Sequence, residues 1–487
     1  MEQAYVAINS GDSEENNNPN TDNLLRAQRK MQLRNVILVG IVFMLLSSAS
    51  QTSSTVETIV IDSVHDQYFN GTSTLGYKLL AVLNGVIAGS VWISQTMVAN
   101  IGPKYGMLIG GVCYCIFVST FIRPLVSTLF AGVVILGVGQ AVLWTSEGVF
   151  LSLNSDKETI GRNSAVFWAL YQTSLLWGNF YFFYKMNGAE TIDDVTRYWI
   201  FGALVVLAGA GTFLIMALKY PVPKLVPHSI NADGSVKVES AEVKSRGLVD
   251  SIRCSLRLIT TKRMLFAMWT FIYIGLEQTF WSNVYDSSLG YTKKFGTHIA
   301  DSLVGLSGVF VGIGEILGSI IFGLADTRFP RMGRDPVIIC GFVSHMVAIF
   351  LVFINIPNAA PLGATFDDGF IHPSFQLALF CSVLFGFGDS AFNTQLYSYL
   401  GEMYAADSVP AFALFQFIWG LTCCGAFFYA TVLHLYIQLL ILAIIGSIAT
   451  ITFCKLEWDY KKTRIPFLQS ERSQLADEGT ENLLHNE

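Results

Sequence analysis

Charge is scarce in this sequence. Only 14% of its 487 residues are Asp, Glu, Lys or Arg, against 52% hydrophobic, where soluble domains carry about 25% charge. That shortage excludes the roughly three soluble domains the length would suggest. The eight cysteines, Cys113, Cys115, Cys254, Cys340, Cys381, Cys423, Cys424 and Cys454, include none in a segment expected outside the cell and none with metal spacing. Neither an extracellular disulfide nor a metal site is therefore expected. No nucleophile stands beside a base, and no basic patch marks a nucleic-acid partner. Cofactor motifs fail as well: GTSTLGYK at Gly71 has Tyr77 where a phosphate loop needs Lys, and GFGDSA at Gly386 sits inside an apolar run with no strand before it. Enzyme chemistry is left without residues to perform it. A cleavable signal peptide is also not visible, so the first apolar run is expected to direct insertion.

What is present is a series of apolar runs of about 20 residues, each long enough to cross roughly 30 Å of hydrocarbon as a helix. Six lie on either side of a polar linker, at about 36–56, 77–98, 106–122, 127–153, 165–184 and 198–218, then 264–285, 303–325, 336–355, 374–398, 410–429 and 432–453. The expected organisation is an all-α membrane protein of twelve transmembrane helices. It comprises a disordered N-tail over 1–34, a six-helix half over 35–218, a linker over 219–263, a second half over 264–453 and a charged C-tail over 454–487.

Positive charge orients the chain. With both termini cytoplasmic, all but six of the 30 Lys and Arg residues fall inside. The exceptions are Lys78, Arg123, Lys185, Arg197, Lys293 and Lys294, the asymmetry that the positive-inside rule requires. Asn70, in the sequon Asn70-Gly71-Thr72, then falls in an outer loop, as N-glycosylation demands. In the linker, Leu248, Ile252, Leu256 and Ile259 recur at helical spacing while Arg253 and Arg257 face elsewhere. This reads as an amphipathic helix on the inner surface, or simply as a lead-in to span 7.

The halves repeat. FWALYQ from Phe167 is matched by AFALFQ from Ala411, Gln51-Thr52 by Gln278-Thr279, and GVG at Gly137 by GFG at Gly386, in the same order. Two parallel six-helix halves follow. The loop GLADTRFPRMGRD, with Gly323, Asp326, Arg328, Gly333 and Arg334, resembles the signature loop of the major facilitator superfamily. That resemblance implies a cytoplasmic charge network of Asp326, Arg328 and Arg334; here a Thr separates acid from Arg and the second Gly is further off. The matching loop IGPKYG from Ile101 keeps its glycines but lacks the acid, so the network should be stronger in the second half. AVLWTSEG from Ala141 and NSDKETIGRNSAVFWALYQTSLLWGN from Asn154 are similar to the Unc-93-like family. That family implies the facilitator fold, with members that include an orphan solute carrier, channel-associated subunits and receptor escorts.

Ionisable groups within the spans are the functional candidates, because each costs about 2.5–3.5 kcal/mol near a helix centre. Glu147, Glu277, Glu315, Asp389, His345 and His434 fall there. In facilitators the first, fourth, seventh and tenth spans line the cavity, and Gln51, Glu147, Glu277 and Asp389 lie on those four. They are expected to border a water-filled path, with a carboxylate exchanging a proton as the halves rock; ordinary helix-to-helix hydrogen bonding is the alternative. Glu315 reads as structural, His345 and His434 as packing, and Trp168, Tyr171 and Trp177 as core or interface aromatics. The expected function is a carrier of a small solute by alternating access, with proton coupling an option. The alternative is a non-transporting accessory subunit or trafficking escort with a membrane-protein partner. Beyond the bilayer itself, the solute is open, as is the resident membrane, plasma or endolysosomal.

Overall fold

A computed structural model describes residues 19–68, 75–123, 125–156, 159–186, 194–219, 248–328 and 333–484. Fourteen α-helices are described, in the order α1 Pro19–Tyr68, α2 Leu75–Ile101, α3 Pro103–Thr120, α4 Val126–Leu153, α5 Ile160–Met186, α6 Asp194–Leu214, α7 Leu248–Ile259, α8 Lys262–Thr279, α9 Asp286–Tyr291, α10 Thr297–Arg328, α11 Asp335–Asn355, α12 Phe375–Met403, α13 Ser408–Ala430 and α14 Leu435–Leu484. Among the described residues nine are long and apolar enough to cross a membrane: α1, α2, α4, α6 and α10 to α14. The shorter or more polar α3, α5 and α8 occupy the other three positions at which spans were expected.

Both tails depart from expectation. The helix of the first span starts at Pro19, well inside the stretch read as a disordered tail, and residues 1–18 lie outside the described residues. At the other end α14 continues to Leu484 through what was read as a charged tail. The length of an apolar run reports the width of the hydrocarbon, whereas the backbone i to i−4 ladder needs no apolar side chains, and in α14 it runs on past Pro466. The linker helix forms as α7, although its Ser255 is buried against the bundle and donates to Gln95 Oε1 of α2 at 2.8 Å. Asn70 lies outside the described residues.

Packing repeats between the halves. In the first, α1 packs on α5 and α6, α3 on α4 and α6, and α2 on α4; in the second, α8 packs on α13 and α14, α11 on α12 and α14, and α10 on α12. The sets coincide when helices are matched in order. Contacts across the halves repeat too, since α5 packs on α10 and α12 while α13 packs on α2 and α4. Such close approach needs small residues, because packing rather than water drives helices together in lipid. A Cβ on Gly139 would lie 2.3 Å from Cys113 Cβ where α4 crosses α3, and one on Gly388 would lie 2.2 Å from the His345 ring where α12 crosses α11. The halves shut against each other at the end of the bundle that carries α7, the linker face. There Trp168 of α5 meets Tyr397 of α12 edge-on at 5.3 Å, Gly148 of α4 packs on Phe412 of α13, and Gly401 of α12 rests on Ile160 of α5.

Candidate functional site

Three carboxyl groups meet in the second half, midway along its helices. Glycines bring two of them together: a Cβ on Gly314 would lie 2.1 Å from Val383 O, and one on Gly386 would lie 2.0 Å from Val311 O, so α10 and α12 touch backbone to backbone. Glu315 and Asp389 sit at that contact. The third, Glu277, lies on α8 just before the helix widens into a π-helical segment, Phe280–Tyr285; such bulges are frequent at functional sites. Asp389 adjoins both glutamates. Asn393 donates to Asp389 Oδ1 at 2.9 Å, yet no geometrically sound donor reaches either oxygen of Glu277 or Glu315, and all three residues are at most 2% exposed. Ionised carboxylates only accept, so a hydrogen bond between two of them requires a proton on one. Gln172 of α5 faces Glu315 across the interface between halves.

His345 of α11 completes this neighbourhood. Tyr273 Oη lies 2.7 Å from Nδ1, and Nε2 lies 3.0 Å from Phe385 O. A carbonyl only accepts, so Nε2 carries the ring's N–H and Nδ1 takes the tyrosine proton. Glu277 Oε2 stands 3.6 Å from the same Nε2, beyond a hydrogen bond. By sequence His345 reads as a packing histidine, whereas the fold seats it beside the carboxyl cluster. Gly388 was the available signal, being the small residue that makes room for the ring.

The four cavity-span candidates do not form one constellation. Glu277 and Asp389 come together, whereas Glu147 lies apart near the linker face, fully buried, with no donor to either oxygen, beside a Gly148 that packs on Phe412. None of the acids borders open water in this conformation. Gln51 accepts from Ser174 Oγ at 3.3 Å and Gln278 accepts from Trp419 Nε1 at 2.9 Å. The repeated glutamines thus take equivalent bonds from α5 and α13. Trp168 and Tyr171 pack with Phe43, Trp144 and Phe167 in one ring cluster, while Trp177 is exposed on the outer surface.

At the linker face, Arg334 caps α11 behind Gly333, whose φ of 79° suits glycine. Its guanidinium pairs with Glu402 of α12 and with Glu457 of α14 at 3.1 Å, and its Nε donates to Ser398 Oγ at 3.1 Å. Burial pulls this guanidinium down, and Glu457 and Glu402 more than reverse it, leaving it above its ordinary value. Lys461 pairs with Asp335, and Tyr460 donates to Glu402. Glu402 and Glu457 were not legible as partners, since both look like ordinary inside charge. The side chains of Asp326 and Arg328 lie outside the described residues. In the first half Lys104, behind Gly102 with φ 85°, donates instead to Leu218 O at 2.6 Å and Met216 O at 2.9 Å beyond the end of α6. The cation is kept there and the acids are absent. Among the described residues no group of His, Cys, Asp and Glu could hold a metal ion.

The fold is similar to that of a major facilitator transporter, FucP, solved in an outward conformation, with a TM-score of 0.62 at 13% identity over 88% of this chain and 99% of that one. The proton:xylose symporter XylE matches at 0.61, with 14% identity over 88% and 96%. At such identity the likeness shows the fold alone. In sequence, UNC93-like protein MFSD11 of Xenopus laevis is 39% identical over 88% of this chain and 96% of its own. Protein unc-93 homolog A of Mus musculus is 22% identical over 92% and 98%. The family model described as "Ion channel regulatory protein UNC-93" matches residues 70–454. With that match over most of its length, and with the facilitator fold beneath it, this multi-pass membrane protein belongs to the UNC-93 family.

Proposed function

We propose that this protein is a proton-coupled carrier of a small solute, working by alternating access with twelve spans, both termini and the linker face on the cytoplasmic side. The observation that carries the reading is the Glu277, Asp389 and Glu315 cluster. Three buried carboxyl groups without a Lys or Arg among their described neighbours share hydrogen bonds only by holding protons, and intramembrane acids of this kind mark proton relays. The three clustered acids are confined to one half, with Glu147 standing apart in the other, and the halves are shut at the linker face. An outward-facing state that loads a proton before rocking fits both facts, and the positive-inside asymmetry fits the orientation.

Uptake of a broad panel of labelled metabolites into vesicles containing the purified protein, with and without an imposed pH gradient, tests the reading. The expected result is saturable uptake that the gradient accelerates in wild type and no longer accelerates in Glu277→Gln or Asp389→Asn. Silence across the panel from folded protein would sink it. The second reading, an accessory subunit of a channel, is favoured by the description its family carries, and a copurifying membrane protein would be its signature.

A further inference from the structure

We infer that His345 is a positioning residue for Glu277, a two-position donor that turns its Nε2–H from the Phe385 carbonyl of α12 to the Glu277 carboxylate when that carboxylate ionises. The inference rests on the proton-coupled reading and names a group that reading does not use. Only one N–H is on offer. It lies 3.0 Å from Phe385 O and 3.6 Å from Glu277 Oε2, so the first acceptor holds it now and the second is reached by a shift of tenths of an ångström. The other side of the ring is fixed, since Tyr273 Oη–H occupies Nδ1 at 2.7 Å. The ring is confined as well, resting on Gly388 and lying nearly parallel to Phe392 at 5.8 Å. It can pivot between its two acceptors and do little else.

The titratable groups around the ring are Tyr273 and Glu277 of α8 and, on α12, Asp389, next in sequence to Gly388. From α14, Gly446 backs the Tyr273 ring and brings no charge. While Glu277 shares a proton with Asp389 it needs no donor from His345, and Nε2–H ties α11 to α12 through Phe385. Once Glu277 is charged, its uncompensated oxygens outcompete a neutral carbonyl, because hydrogen bonds to ions are roughly twice as strong as those between neutral groups. The tie between α11 and α12 is then released. Proton loss at α8 thereby reaches the crossing of two other helices.

The test uses the full chain in lipid, with fluorophores at the exposed residues Met216, just past α6, and Lys462 of α14 reporting the distance between halves as pH is varied. Wild type should show a transition. His345→Gln, which keeps an N–H donor, should hold its midpoint, and His345→Phe, which has none, should move it up by about one pH unit, tenfold in proton concentration. An unmoved midpoint in His345→Phe, or equal shifts in both variants, would overturn the inference. If wild type shows no transition, proton coupling is what fails. The switch is then decided by the His345 Nε2 nitrogen resonance followed against pH, which should shift in wild type as Glu277 ionises and stay fixed in Glu277→Gln; a wild-type resonance that stays fixed would refute it.

Discussion

Replacing Gly386 with Ala should separate the two helices that carry Asp389 and Glu315. The added Cβ would stand 2.0 Å from Val311 O and 3.0 Å from Glu315 N, both backbone atoms that cannot swing aside as a side chain would. Restoring ordinary van der Waals contact requires α10 and α12 to part by more than an ångström along a contact held by several glycines. Overpacking a tight interior costs about 1–3 kcal/mol, and the upper end applies where backbone must move. Gly425→Ala is the control, on α13 with open space at its Cβ. Thermal unfolding in detergent, followed by intrinsic fluorescence, should show Gly386→Ala melting several degrees below wild type and Gly425→Ala close to it. Equal melting of the two variants would refute the claim that backbone contact positions the carboxyl cluster.

Arg334→Gln should destabilise by about 3–5 kcal/mol, since it leaves Glu402 and Glu457 buried without their cation; chemical denaturation compared with wild type measures this, and Arg334→Lys should recover only part of it. Ser255→Ala should free α7 from α2 at a cost of about 1 kcal/mol, read as faster proteolysis of the linker at unchanged melting of the bundle. Asp368, in the loop between α11 and α12, is held below its usual range chiefly by the hydrogen bond from Lys294, with His372 helping. A group depressed on folding stabilises above its unfolded value and loses that contribution as pH falls through its folded one. The loop should therefore loosen below about pH 4, seen as faster amide exchange at Thr365 in wild type than the intrinsic rate accounts for, with the pH effect absent in Asp368→Asn.

Much of this fold was legible because lipid leaves so few options. Apolar runs showed where helices must cross, and the fold showed that Gly386, Gly388 and Gly139 are where they touch. Glu277, Glu315 and Asp389 stood out because each is expensive in hydrocarbon. Their meeting was not legible: it depends on which faces of α8, α10 and α12 converge, and no spacing along the chain encodes that. His345 was passed over for the same reason, since Tyr273, Phe385 and Glu277 all lie on other helices. Glu402 and Glu457 hid among ordinary inside charges until the fold gathered them on Arg334. The polar ends of α1 and α14 were read as tails because hydropathy ends with the hydrocarbon and the helix does not.

The central claim is that the Glu277, Asp389 and Glu315 cluster holds an exchangeable proton, and infrared difference spectroscopy of the reconstituted protein across a pH jump addresses it most directly. The account predicts that a protonated carboxyl band is lost on alkalinisation in wild type, with a matching gain of carboxylate, and that Glu277→Gln combined with Asp389→Asn removes both changes. A wild-type spectrum without that band, or a band that survives in the double variant, would contradict it.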